Sequence, residues 1–234
     1  MPAGGGLTDL SLQLEIHATV KPNFYLKPKL RWIWLVAIPF LFGCSLTTPL
    51  IDTTRYYVLD TLPQPSQSTA PGTLKLALRR VEAPSYLKGR SMVVRRGENE
   101  IHYIDSARWA EPLELALMRV LKEGLSSRPE VEEIMAAPFS VNETRDFDLV
   151  IHVVSCEGAI KASGEGAVIF QVTVEVYAGE ANGKLLSRIP FNAEPAAWDG
   201  KNYSALAEKL SGSVAQLCAQ IPHTLAEFKK TAVK

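Results

Sequence analysis

A short apolar run, Trp32-Ile33-Trp34-Leu35-Val36-Ala37-Ile38-Pro39-Phe40-Leu41-Phe42, ends in Gly43-Cys44 and divides this chain into a leader and a part that can fold. Lys27, Lys29 and Arg31 stand just before it. Cations held at the cytoplasmic leaflet, a short apolar segment for the translocon and a small residue before the cleaved bond together make a secretory signal. The run is about 11 residues long, whereas a bilayer span needs about 20. Leu41-Phe42-Gly43-Cys44 resembles a lipobox, with leucine three places before the cysteine and glycine next to it, although Phe42 is bulkier than usual. The motif predicts that the Cys44 thiol is diacylglycerylated, that the chain is cut before it, and that the new amine is acylated. Residues 1–43 are then a signal peptide with an over-long N-terminal extension. Met1 to Leu26 is glycine-rich and then mixed, with Asp9 and Glu15, unlike a short basic n-region. Translation is expected to begin nearer Val20, Leu26 or Leu30.

Cleavage before Cys44 leaves 191 residues, enough for one domain with a real core. Their net charge is near −2, and no strongly basic balance points to nucleic acid. Two cysteines remain, Cys156 and Cys218, in an exported and oxidising compartment where one disulfide is conceivable. In a regular strand, however, Phe147, Leu149, Ile151 and Val153 form the apolar face and Cys156 points the other way. A helix carrying Cys218 and packed on that face would not meet it, so two buried free thiols are expected.

Residues 44–54 carry no periodicity and read as a lipidated tether; the domain is expected over 55–228, with a frayed tail at 229–234. Arg55 to Asp60 is aromatic and β-branched, a short strand ending in a loop rich in proline and serine. Leu74, Leu76 and Leu78 alternate against Lys75, Ala77 and Arg79 as a second strand, and Ala83 to Arg90 breaks it as a turn or a single helical turn. Met92 to Arg96 and Ile101 to Ile104 flank Gly97-Glu98-Asn99-Glu100 as a β-hairpin. Pro112, in the first turn of a helix opened by Trp109, precedes Leu113, Leu117, Val120, Leu121 and Leu125 at helical spacing. Trp109 is expected to be buried. From Phe147 to Lys184 the period is two: Val168, Phe170, Val172, Val174 and Val176 share one face, and Gln171, Thr173 and Glu175 the other. One wet face predicts antiparallel neighbours. A turn at Gly179 to Gly183 leads to a strand over Leu185 to Phe191. A helix from Tyr203 to Ile221 follows, which Pro222 stops or kinks. Strands, a helix, three strands and a helix predict an α+β fold: a two-layer sandwich of mostly antiparallel sheet with two main helices packed on one face.

Catalytic patterns are missing. No nucleophile elbow, H-E-x-x-H or C-x-x-C is present, and the reading is non-enzymatic, with no cofactor and no metal. Gly179-Glu180-Ala181-Asn182-Gly183-Lys184 is one residue short of a phosphate loop and sits between two strands, so it reads as a hairpin. His102, His152 and His223 show no paired spacing and read as structural or surface residues. The densest positive feature is Arg79, Arg80, Lys88, Arg90, Arg95 and Arg96 about the turn over residues 83–90. It is either a solvated strand face or a surface for an acidic partner or lipid headgroups.

Tyr56-Tyr57-Val58-Leu59-Asp60 soon after the cysteine is followed in order by Val81-Glu82-Ala83-Pro84-Ser85-Tyr86-Leu87, Met92-Val93-Val94-Arg95 and Arg108-Trp109-Ala110-Glu111-Pro112-Leu113. This series resembles the ABC-type transport auxiliary lipoproteins of the PqiC (YmbA-like) kind, over about Cys44 to Leu125. The resemblance implies a lipid-anchored outer-membrane protein facing the periplasm, the accessory subunit of an MCE-type phospholipid transport system. Its partners would be an MCE-domain protein (PqiB-like) and inner-membrane transporter subunits, with a homo-oligomer possible and no nucleic acid. Ser45 after the cysteine is similar to lipoproteins sorted to the outer membrane. A structural lipoprotein of another envelope or secretion assembly is the alternative. An interface of this kind needs an apolar centre and a polar rim. Tyr86 and Leu87 would supply the centre, and Lys88, Arg90 and Arg95 the rim.

Overall fold

The computed structural model describes residues 52–61, 72–140, 143–180 and 183–232, so Cys44 and the leader lie outside the described residues. Among these residues the elements are β1 (Arg55–Tyr57), β2 (Leu74–Glu82), β3 (Ser91–Arg96), β4 (Glu100–Trp109), α1 (Leu113–Ser126), β5 (Val131–Ala136), β6 (Phe147–Ile160), β7 (Gly166–Ala178), β8 (Leu185–Asn192), β9 (Ala196–Trp198) and α2 (Tyr203–Ala232). A 3-10 turn, Ser85–Leu87, separates β2 from β3. All the strands join one mixed sheet, antiparallel in its longest pairings, and two helices accompany it. The chain is α+β, as its periodicities predict.

The sheet is built on β6, which is long and buried on both faces for most of its length. One edge runs antiparallel to β7, from Phe147 opposite Ala178 to Ile160 opposite Gly166. Its other edge is shared. β2 runs parallel to the first half, as far as Glu82 beside His152, and β3 runs parallel to the last residues, from Val94 beside Gly158. β1 with β4 and β2 with β5 are also parallel. These four parallel pairings depart from the antiparallel neighbours that one wet face predicts, because parallel partners are joined by long crossovers and no local pattern announces them. β5 and β9 are missed as well, and five strands rather than three separate the helices. β5 carries adjacent acids, Glu132 and Glu133, and β9 is Ala-Ala-Trp; both are too short to show a period.

The α1 stripe Leu113, Leu117, Val120, Leu121 and Leu125 is buried, as its spacing predicts. Pro112 stands one place before the first turn, at the cap, where its carbonyl accepts the N–H groups of Leu115 and Ala116, each at 3.0 Å. Trp109 is buried, but as the last residue of β4 rather than in the helix. In α2 the side chain of Asn202 caps the start by accepting the Ala205 N–H at 3.1 Å. The helix runs through Pro222 to Ala232 instead of stopping near Ile221. Pro222 lacks the N–H that would reach the Cys218 carbonyl, yet buried Ile221 and Leu225 on either side keep this turn against the core. Farther along, the Lys229 ammonium donates to the Thr73 carbonyl at 2.6 Å and pairs with Asp146 at 2.7 Å. The two helices touch each other; α1 lies against β2 and β5, and α2 against β7. Their buried stripes and the row from Val168 to Val176 belong to one hydrophobic core.

A bulge corrects the expected direction of Cys156. Val153 stands opposite Val172, but Ser155, not Val154, stands opposite Gln171. The extra residue shifts the side-chain alternation by one, so Cys156 comes to lie opposite Phe170, on the same face as Leu149, Ile151 and Val153. Both cysteines are buried and free, as expected, although Cys156 faces the core rather than away from it because of the extra residue at Val154. Cys218 packs instead against α1, where a Cβ placed on Gly124 would come within 2.7 Å of its sulfur.

Candidate functional site

The turn singled out by the sequence fills a gap in the sheet. β2 leaves the edge of β6 at His152 and β3 rejoins it at Gly158, and the chain between them rises over the bulge. Pro84 fixes an extended entry, and the 3-10 turn closes with Leu87 N–H on the Pro84 carbonyl at 2.9 Å. Glu114, in the first turn of α1, accepts the Ala83 N–H at 3.0 Å and ties the turn to the helix.

Tyr86 and Leu87 part company here. Leu87 is 3% exposed and belongs to the core, so the surface position that a turn leucine suggests is corrected. One helical turn points adjacent side chains in different directions. Tyr86 is half-buried, and its hydroxyl donates to the carbonyl of Val154 at 3.2 Å. Val154, the bulged residue, is 51% exposed. The exposed apolar neighbour of Tyr86 is therefore Val154 rather than Leu87. A slip in the period, from Val153 to Cys156, is the sequence signal that could have found it.

Arg95 is held by β3 beside Ala159 of β6, which brings its guanidinium to 2.6 Å from the wholly buried carboxylate of Glu157. It also lies over the Tyr86 ring, 5.9 Å from the centroid. Burial works against the Arg95 charge, but the hydrogen bond and charge of Glu157 outweigh it and hold its pKa above the ordinary value. Burial, followed by the charge of Glu157, raises the Tyr86 phenol. The second oxygen of Glu157 has no hydrogen-bond partner among the described residues, so Arg95 carries most of its compensation.

The basic cluster divides by partner. Arg79 donates to the buried Asp148 at 2.7 Å, Arg145 pairs with the same carboxylate, and Arg80 pairs with Glu82. Lys88 and Arg90 are exposed and have no ion pair among the described residues. Arg96, at the end of β3, is likewise exposed with no ion pair among the described residues, so these three are the charges of the cluster that remain available to an acidic surface.

Pairing of the strands also assembles a cluster that the sequence does not reveal. His152 lies with Nδ1 2.9 Å from Glu82 and Nε2 3.1 Å from Glu175. Arg188 at 2.8 Å, the Tyr177 hydroxyl at 2.7 Å and His152 together hold the Glu175 carboxyl down to about 2. His102 pairs with Glu100 at 2.6 Å. No three His, Cys, Asp or Glu side chains among the described residues are placed to share a metal ion. β7 and β8 follow one another in the chain and pair antiparallel, so the two strands form a hairpin, as read from the sequence.

Comparison with known proteins matches residues 57–222 to the family described as the ABC-type transport auxiliary lipoprotein component. The "Intermembrane transport lipoprotein PqiC" of Escherichia coli K12 is 27% identical over 194 residues, which cover 82% of this chain and 95% of that protein. The protein of the same name from Shigella flexneri matches to the same extent. A crystal structure from Xanthomonas campestris superposes with a TM-score of 0.64 at 14% identity, over 77% of this chain and all of that one, a likeness of fold.

Proposed function

This chain belongs to the ABC-type transport auxiliary lipoprotein family, and from that premise we propose that it is the lipid-anchored accessory subunit of an MCE-type system that moves phospholipids between the inner and outer membranes. Cys44 carries the lipid and holds the domain to the outer membrane, facing the periplasm. The subunit does no chemistry of its own; it docks on an MCE-domain protein that works with an inner-membrane transporter. The observation that supports this reading is the family match over residues 57–222, joined to a 27%-identical relative whose name is intermembrane transport lipoprotein.

In this reading the two helices form one layer on one face of the sheet. Tyr86, Val154, Lys88 and Arg90 then belong to a docking surface on the other face, with Arg95 beneath Tyr86 as its support. The surface is apolar at its centre and basic at its rim, an arrangement that excludes water while leaving the charges solvated.

Two experiments test the proposal. Cys44→Ala should leave an unlipidated precursor held at the inner membrane by its uncleaved signal; normally processed protein in outer-membrane fractions would overturn the lipid anchor. Affinity purification of the full chain should bring down an MCE-domain protein, and Tyr86→Ala with Val154→Asp should abolish that capture while the domain stays folded. Lys88→Ala and Arg90→Ala should mainly slow association and make it more salt-sensitive. Capture of secretion or pilus components in place of an MCE protein would assign the chain to another envelope assembly.

A further inference from the structure

Among the described residues β1 ends the sheet: it pairs there with β4 and with no other strand, which leaves one of its edges without a described partner. On the paired side the Tyr57 carbonyl accepts the Ala110 N–H at 2.8 Å. The alternation of an extended chain then turns the backbone N–H and C=O of Tyr56 to the other edge. A little farther on, the Asp60 N–H donates to the Ser211 hydroxyl of α2 at 3.1 Å, so the helix runs beside this edge. A groove of about 380 Å³ remains between them, with Tyr56, Val58 and Asp60 on the strand wall and Ser204, Ala207 and Glu208 on the helix wall.

Three properties of the groove define what fits it. Tyr56 and Val58, 57% and 54% exposed, offer apolar contact beside the edge backbone. Ser204 and Ala207 are small and leave room for a main chain. Glu208 is exposed and has no ion pair among the described residues, and Asp60 adds a second carboxylate across the groove. Edge backbone, alternating apolar contacts and acidic walls are complementary to an extended, basic segment.

We propose that this groove receives an extended segment of a partner protein, which adds to β1 as a further strand and sets a lysine or arginine against Glu208. The chain's own neighbouring segments do not match it: residues 45–51 and 62–71 contain no lysine or arginine. Lys234 follows the far end of α2, a helix of 30 residues that spans about 45 Å.

The full chain in mild detergent is titrated into the fluorescein-labelled heptapeptide Lys-Val-Thr-Val-Lys-Val-Thr and, separately, into its glutamate-for-lysine counterpart. The basic peptide should bind about tenfold or more tightly than the acidic one. Hydrogen exchange over residues 55–60 should slow in its presence. Glu208→Lys should reverse the preference between the peptides. Tyr56→Pro, which removes the N–H at this edge, should abolish binding, whereas Tyr56→Phe should retain it. If Tyr56→Pro unfolds the domain, the exposed Glu208→Lys carries the test alone. Equal binding of the two peptides, unchanged exchange over residues 55–60, or indifference to Glu208→Lys would overturn the proposal. Self-association in sedimentation that Glu208→Lys abolishes and that excludes the peptide would overturn it in favour of a second copy of this chain.

Discussion

The hydroxyl of Tyr86 donates to the carbonyl oxygen of Val154, 68 positions away in sequence, at 3.2 Å. The bond joins two irregularities, a turn that leaves the edge of the sheet and a bulge in the strand beneath it. Each makes room for the other, because a bulged strand leaves its own backbone groups without ladder partners. Tyr86→Phe should keep the ring over Arg95 while losing this bond, at a cost of about 1 kcal/mol in chemical denaturation. A variant as stable as the parent would show that water replaces the phenol at Val154 without loss.

Arg95 lies against the Tyr86 ring and pairs with Glu157. Its removal strands Glu157, which is wholly buried, without a countercharge. Breaking a buried pair from one side costs about 3–5 kcal/mol. Arg95→Ala should therefore lower the denaturation midpoint clearly, whereas the exposed Lys88→Ala should change it by about 0.5 kcal/mol or less. Equal stability of the two variants would mean that Glu157 finds compensation elsewhere.

Trp109 closes β4 with its ring in the core. Truncation removes a large apolar surface and leaves a cavity that the neighbours fill only in part. Trp109→Ala should cost about 3–5 kcal/mol in urea unfolding, and a parent-like midpoint would refute the packing assigned to it.

Glu175 gives the protein a definite response to acid. Arg188 first, then Tyr177 and His152, depress its carboxyl from 4.5 to about 2 in the folded chain. A group with a depressed folded pKa contributes stability that is fully present above its unfolded value and is lost as the pH falls through the folded one. The contribution of Glu175 should thus be intact above pH 4.5 and disappear between pH 4.5 and about 2. Glu175→Gln should be less stable than the parent at pH 7 and should converge with it toward pH 2. Parallel stability curves for the two proteins would exclude this role.

Both buried cysteines should be inert in the native protein. Burial pushes the Cys218 thiol up to about 12, with Arg128 opposing the shift, and raises Cys156 further, with Glu157 adding to it. Thiolate is the reactive form, so a thiol-specific reagent should label neither residue until the chain is denatured, and both afterwards. Rapid labelling of native protein would contradict the packing around them.

Much of this protein is legible in one dimension because its signals are local. The alternation from Val168 to Val176 marks β7, the stripe from Leu113 to Leu125 marks α1, and the row from Tyr203 to Ile221 marks α2 up to its proline. In each case a fixed repeat places apolar side chains on one face, and burial of that face follows from the repeat alone. The ordered motifs around Tyr56, Tyr86 and Trp109 likewise pointed to the family, which the match over residues 57–222 shows.

Tertiary structure decided what depends on which strand lies beside which. Only the pairing of β6 with β7 reveals the bulge at Val154, which turns Cys156 inward and exposes a valine beside Tyr86. Only the parallel placement of β3 on β6 brings Arg95 to Glu157, 62 positions apart, and turns a member of the basic cluster into a buried ion pair. Only the meeting of β2, β6 and β7 puts His152 between Glu82 and Glu175. Such relationships join residues on separate strands, and a repeat within one strand carries no information about its neighbour's register. Where charge and exposure rest on partners distant in sequence, the pattern identifies the residues and the packing assigns what each of them does.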